Sequence, residues 1–301
     1  MKYIHNYLKL FRYKNLIFLI TIQYLLRYKI IIPNFGIENI ISLLNFNLIL
    51  FSTLLIITAG YVINNYFDIN IDLINNDKKI IVGRDISRRT TLFIHAIFTF
   101  IGLIIGIITS NSLNSVYYTF YFLFTSYILW TFSLRLKKNY IISCFIFPFI
   151  YSGFIFSISF FEIKNNYLNP QIFKTISILF VYTMFGFILT LIHEIVKDFR
   201  GLKGDKLHNI KTLPIIWGIN KTKEFIKWLT IFLCFCIIFI TTYIFKNNIY
   251  AILYSIFLLI LPISMLNLLV YKASNSNDYD RILNLNNLVI VIGVLSLFFF
   301  N

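Results

Sequence analysis

The chain has 301 residues, of which 58% are hydrophobic, 19% aromatic and only 13% charged, with a mean hydropathy of +0.79. That composition excludes an ordinary soluble domain: the solvent for most of this chain is lipid. The formal net charge of +15 sits on Lys and Arg between apolar segments, as cytoplasmic loops require, and no basic soluble domain exists to take nucleic acid as a partner.

Apolar runs of about 20 residues, long enough to cross a bilayer, are expected near 15–33, 40–63, 91–109, 115–134, 141–161, 172–193, 226–245, 250–271 and 283–300. The fold class is therefore an all-α polytopic bundle of about nine transmembrane helices. Residues 1–301 read as one membrane domain whose motif loops lie near 64–90 and 194–224. The first run follows Lys2, Lys9, Arg12 and Lys14 and has no small-residue cleavage site, which reads as an anchor. Within it Arg27 and Lys29 break the apolar pattern and are expected to snorkel to the far interface. Basic clusters follow the second run (Lys78, Lys79, Arg84, Arg88, Arg89), the fourth (Arg135, Lys137, Lys138), the sixth (Lys197 to Lys223) and the eighth (Lys272, Arg281). The intervening connections carry little charge, so the N-terminus and both motif loops are expected to be cytoplasmic, in a bacterial-type inner membrane. Cys144, Cys234 and Cys236 fall in apolar runs and suggest neither a disulfide nor a thiolate metal site.

Eight of the twelve carboxylates fall in two windows: Asp68, Asp72, Asp77 and Asp85 after the second run, and Glu194, Asp198, Asp205 and Glu224 after the sixth. An even number of crossings separates the windows, so both face one compartment, and their placement suggests a duplicated unit of about four helices. On a continuous helix Asn64, Asp68 and Asp72 form one stripe, each step of four drifting only about 40° and rising about 6 Å. Carboxylates spaced i, i+4 repel, so a cation is expected over the stripe. Mg²⁺ fits, since it takes one or two protein carboxylates and fills its octahedron with water and phosphate oxygens. In the second window Glu194 and Asp198 repeat the spacing, and Asp205 follows Gly201 and Gly204, read as a turn. Lys197, Lys203 and Lys206 are interleaved with them, as a diphosphate site requires. Tyr61 and Tyr66 flank the first stripe and are expected to face lipid, and His95 is expected to be a satisfied interior histidine.

The run Asn64-x-x-x-Asp68-x-x-x-Asp72 with Gly83 to Ser87, and Glu194-x-x-Lys197-Asp198 to Gly204-Asp205 with Lys211-Thr212-Leu213-Pro214, resembles the UbiA superfamily of intramembrane prenyltransferases over most of the chain. The style of both motifs is similar to the branch that includes digeranylgeranylglyceryl phosphate and chlorophyll synthases. The resemblance implies Mg²⁺ ions bridging a polyprenyl diphosphate. It implies metal ligands among Asn64, Asp68, Asp72, Glu194, Asp198 and Asp205, with Asp68, Asp72 and Asp198 carrying catalysis. Diphosphate contacts are expected from Asn15, Lys78, Lys79, Arg84, Lys197 and Lys203; the Arg12 to Asn15 stretch resembles the family's N-terminal element. Two departures are His193, where many members carry Arg, and Gly201, where they carry a further aspartate.

The implied reaction is Mg²⁺-dependent transfer of a prenyl group from a prenyl diphosphate to a hydrophobic acceptor among the membrane lipids, foremost a geranylgeranylglycerol-phosphate-type lipid. An aromatic quinone precursor or haem is the alternative acceptor. A cation- or proton-coupled transporter is the alternative of another class, and it expects its carboxylates near the bilayer midplane.

Overall fold

A computed structural model describes residues 2–74, 81–134, 140–163, 168–244 and 248–300. The described residues are almost entirely helical and contain no strand. A short helix α1 (Lys2–Leu10) ends at Arg12, whose left-handed backbone (φ 51°, ψ 48°) turns the chain into α2 (Tyr13–Leu26). A π-helical turn, Arg27–Ile31, joins α2 to α3 (Ile32–Phe35). There follow α4 (Leu43–Phe67), a short α5 (Ile69–Ile74), α6 (Arg88–Ser112), α7 (Val116–Leu134), α8 (Tyr140–Ile163), α9 (Ile172–Leu207), a short α10 (Leu213–Ile216) and α11 (Ile219–Ile244). The chain continues through α12 (Ile249–Tyr254), a second π turn (Ser255–Ile260) and α13 (Leu261–Lys272), and then through α14 (Ser276–Leu295), which ends in a 3₁₀ turn.

Among the described residues eight helical stretches are long and apolar enough to cross a membrane, counting α2 with α3 and α12 with α13 as one each. Helix α7, 19 residues long, makes the ninth; Tyr117, Tyr118, Tyr121 and Tyr127 lower its hydropathy. Outward faces carry Phe93, Phe100, Phe120, Phe124, Phe232 and Phe235, all exposed, which only lipid can cover. The protein is integral to the membrane. Both π turns come directly before a helical segment with proline second, Pro33 and Pro262. A proline has no N–H to bond the carbonyl four residues back, and the wider turn absorbs that mismatch without ending the helix.

Two apolar cores hold the bundle together. The first joins α2, α3, α4, α7, α8 and the start of α9 through Phe46, Ile56, Tyr118, Phe122 and Phe154. The second joins the later part of α9 to α11, α13 and α14 through Ile192, Ile195, Leu213, Ile226, Leu266 and Val289. Contact between α4 and α6 is close because Gly102 has no side chain: an added Cβ would lie 2.9 Å from Ile56, and Ser52 Oγ donates to the Gly102 carbonyl at 2.7 Å.

Three sequence expectations need correction here. Arg27 does not snorkel: it is 3% exposed, pairs with Glu162 of α8, donates to the Ile41 carbonyl at 2.9 Å and lies 4.6 Å from the Phe46 ring centroid. A guanidinium so deep in the bundle requires a counter-charge more than it requires water. Tyr61 does not face lipid either; it is 2% exposed, inside the first core. Gly201 and Gly204 do not turn the chain, since α9 continues unbroken through both to Leu207. His95 is a satisfied interior histidine, its Nδ1–H donating to the Ala59 carbonyl at 3.0 Å with the ring stacked on Trp130.

Candidate active site

The first window is bent where the sequence suggests a straight stripe. Helix α4 stops at Phe67 and Asp68 caps it, with backbone at φ −84° and ψ −4°, before α5 begins at Ile69. Asn64 and Asp68 remain one turn apart: the Asp68 N–H bonds the Asn64 carbonyl at 3.0 Å, and Asn64 Nδ2 donates to Asp68 Oδ2 at 3.0 Å. Asp68 is 9% exposed. Asp72 belongs to α5, on the far side of the break, and its side chain is outside the described residues, as are Asp77, Lys78 and Lys79 altogether. A small apolar cluster of Leu10, Val62, Ile69, Val82 and Ile86 seals this end of α4, and Gly83 (φ 87°) lets residues 82–86 close tightly over it. Arg84, in that turn, is exposed.

The second window lies on the last turns of α9. Lys197 Nζ is 3.4 Å from Glu194 Oε2, an i, i+3 pair, and Arg200 Nη1 is 2.9 Å from Asp280 of α14. Asp205 is 8% exposed, Asp198 is half-buried and Lys203 is exposed. Next to Glu194, the buried Nδ1 of His193 has no hydrogen-bond partner.

The two windows meet. Helix α5, which carries the end of the first window, packs on α9, and Tyr61, one turn before Asn64, lies within electrostatic reach of Glu194. Cys144 on α8 lies within electrostatic reach of both Asp198 and Glu194. The connection that sequence reading missed is Arg12. Its left-handed turn lays the guanidinium 4.7 Å over the Tyr61 ring, and from there its charge acts on both Tyr61 and Glu194. Asn15, one turn further on, has Nδ2 3.5 Å from the Tyr61 hydroxyl. The sequence marks the Arg12 to Asn15 stretch by resemblance but names Asn15 alone as a contact; the positive φ that aims Arg12 at Tyr61 is visible only in the fold.

Carboxylates from distant segments, the cations of Arg12 and Lys197 and an apolar bundle below them therefore share one end of the molecule. Among the described residues no three His, Cys, Asp or Glu side chains form a metal-ligating group. The oxygen donors present, the Asn64 amide and the Asp68 carboxylate on one turn, still suit Mg²⁺, which uses few protein ligands and completes its shell with water and phosphate oxygens.

A model of the UbiA prenyltransferase family matches residues 35–288. The digeranylgeranylglyceryl phosphate synthase of Saccharolobus solfataricus is 31% identical over 255 residues, covering 81% of this chain and 83% of that protein. A solved UbiA homolog from Aeropyrum pernix K1 superposes with a TM-score of 0.67 at 13% identity, over 97% of each chain. A UbiA homolog from Archaeoglobus fulgidus bound to DMAPP and Mg²⁺ superposes with a TM-score of 0.56 at 16% identity, over 97% of this chain and 99% of that one.

Proposed function

The chain belongs to the UbiA prenyltransferase family, and we propose that it transfers a polyprenyl group from a prenyl diphosphate to the hydroxyl of a geranylgeranylglycerol-phosphate-type lipid. The observation that carries this reading is the meeting of the two acidic windows, with Arg12 and Lys197, at one end of an apolar bundle. The named activity of the Saccharolobus relative supports the acceptor, and the ligands of the Archaeoglobus structure support the donor and Mg²⁺. In the proposed orientation this end faces the cytoplasm, because the basic loops flank it.

In this reading Asn64, Asp68 and Asp72 hold the metal from one side, and Glu194, Asp198 and Asp205 approach it from the other. Bound there, Mg²⁺ neutralises the charge that develops on the departing diphosphate. Arg12 and Lys197 supply fixed positive charge to the same oxygens. Charges placed in advance need no reorganisation as the carbon–oxygen bond breaks. Asn15, Lys203 and Arg84 border the site and serve the diphosphate from its rim, with Lys78 and Lys79 proposed alongside them. The allylic carbon then bonds to the acceptor oxygen, whose proton leaves, giving an ether and free diphosphate.

Below the charges an aromatic series leads into the bundle: Tyr61 against Phe147 (5.9 Å between centroids), Phe18 stacked on Tyr151, and Tyr121 edge-on to Phe154. Such faces stabilise a carbocation and exclude the water that would quench it.

The test offers purified protein geranylgeranyl diphosphate with, in turn, geranylgeranylglyceryl phosphate, 4-hydroxybenzoate and haem, with products read by mass spectrometry. Ether lipid that disappears with EDTA and returns with Mg²⁺ is the expected result. Product on an aromatic ring or haem alone overturns the acceptor. Ion flux in liposomes without any prenyl product overturns the enzyme.

A further inference from the structure

The last transmembrane helix reaches back to the second window. Its contacts with α9 run antiparallel along nearly the whole helix. The Tyr182 hydroxyl lies 2.7 Å from Ser296 Oγ, the Phe185 ring fills the place where a Cβ on Gly293 would lie 2.2 Å from it, and Asn286 Nδ2 donates to the Leu189 carbonyl at 3.1 Å. The series ends in two neighbouring contacts: Phe199 stacks on Tyr279 (5.5 Å between centroids, 6° between planes), and Arg200 pairs with Asp280 at 2.9 Å.

The tip of α14 is itself well anchored. Asn275 and Asp278 form a reciprocal capping box, Asp278 Oδ2 accepts from the Ser274 and Asn275 N–H groups at 3.1 Å, and Lys223 Nζ donates to the Tyr271 and Ala273 carbonyls at 3.0 and 2.7 Å. The end of α9, by contrast, needs bracing, because Gly201 and Gly204 inside it each cost about 1 kcal/mol of helix stability relative to alanine.

We propose that Tyr279 and Asp280 are positioning residues for the prenyl-transfer site, fixing the rotation of α9 that aims Asp198 at the first window. At about 100° per residue, Arg200 lies roughly 200° around the helix from Asp198. Holding Arg200 on α14 therefore turns Asp198 away from α14. The inference rests on the proposed prenyl transfer and adds to it a brace that touches neither metal nor diphosphate.

The test compares wild type, D280A, D280N and the exchanged pair R200D/D280R, all as full-length protein in detergent. It measures kcat, the Mg²⁺ concentration for half-maximal rate, Mn²⁺ affinity by electron paramagnetic resonance, and the thermal midpoint. D280A and D280N are expected to lose about 3- to 5-fold in kcat and in metal affinity, the scale of one ion pair whose carboxylate is 47% exposed. R200D/D280R is expected to recover most of both. D280A with unchanged kcat and Mn²⁺ affinity overturns the proposal, as does an exchanged pair that folds like wild type yet stays at the D280A level. If D280A melts far below wild type, the exchanged pair decides alone. Wild-type protein that binds Mn²⁺ but forms no prenyl product overturns the enzyme reading, while the Mn²⁺ affinities still judge the brace.

Discussion

The two ends of the bundle handle charge in opposite ways. At the end away from the motif loops Arg27 and Glu162 close on each other inside the core, and Gln23 donates to the Phe154 and Ile155 carbonyls nearby at 3.1 and 3.2 Å. At the other end carboxylates gather on two helices beside Arg12 and Lys197, at a helix break and a helix extension where Glu194 and Asp198 are half-buried and Asp68 and Asp205 buried. The first arrangement pairs its two charges within the protein, although Arg27 Nε and Glu162 Oε2 stay without hydrogen-bond partners, and its work is to hold the fold. The second is open to a ligand that is both anionic and metal-bearing. What separates the two ends is the partner: Glu162 is matched by a single buried cation, whereas the site gathers several carboxylates around few cations.

Substitutions at the two ends sharpen that contrast. The largest effect is expected from Asp68→Ala or Asp198→Ala: a fall in prenyl transfer of about 10³-fold, comparable to removing a principal electrostatic contact from a transition state. Thermal midpoints should stay within a few degrees of wild type, and retained activity in both variants would end the proposal. At the Arg27 end the readouts exchange roles. Glu162→Gln leaves Arg27 buried without its counter-charge and should cost about 3 kcal/mol of stability. Activity per folded molecule should be unchanged, and R27M/E162L should melt above either single variant. A Glu162→Gln protein that is stable but inactive would erase the distinction between the two ends. The smallest effect is expected at Arg12→Ala, about 10-fold in kcat/KM, since a cation over an aromatic face contributes about 1 kcal/mol and its diphosphate contact adds to that. Arg12→Lys should keep part of that activity.

Much of this was legible in the sequence, for identifiable reasons. Lipid imposes a length of about 20 apolar residues on each crossing, so all nine spans could be placed to within a few residues on their apolar sides. Their polar ends were misjudged: α9 and α14 extend well into charged sequence, 207 against an expected end at 193 and 276 against an expected start at 283. The windows stood out because carboxylates are scarce here. Other features depend on contacts that local pattern does not encode. The bend at Asp68 answers to the packing of Ile69 against Leu10 and Val82. The Arg27–Glu162 pair joins residues 135 apart, and Arg12 reaches Tyr61 only through a backbone conformation that arginine seldom adopts.

Helix α9 is 36 residues long, about 54 Å at 1.5 Å per residue, against an acyl layer of about 30 Å, whereas α4 has 25 residues. The apolar part of α9, 172–193, is about 33 Å and already fills that layer. The remaining 14 residues, which carry Glu194, Asp198 and Asp205, therefore stand about 21 Å clear of it as a rigid stalk, so the second window is presented by continuous helix and not by a loop.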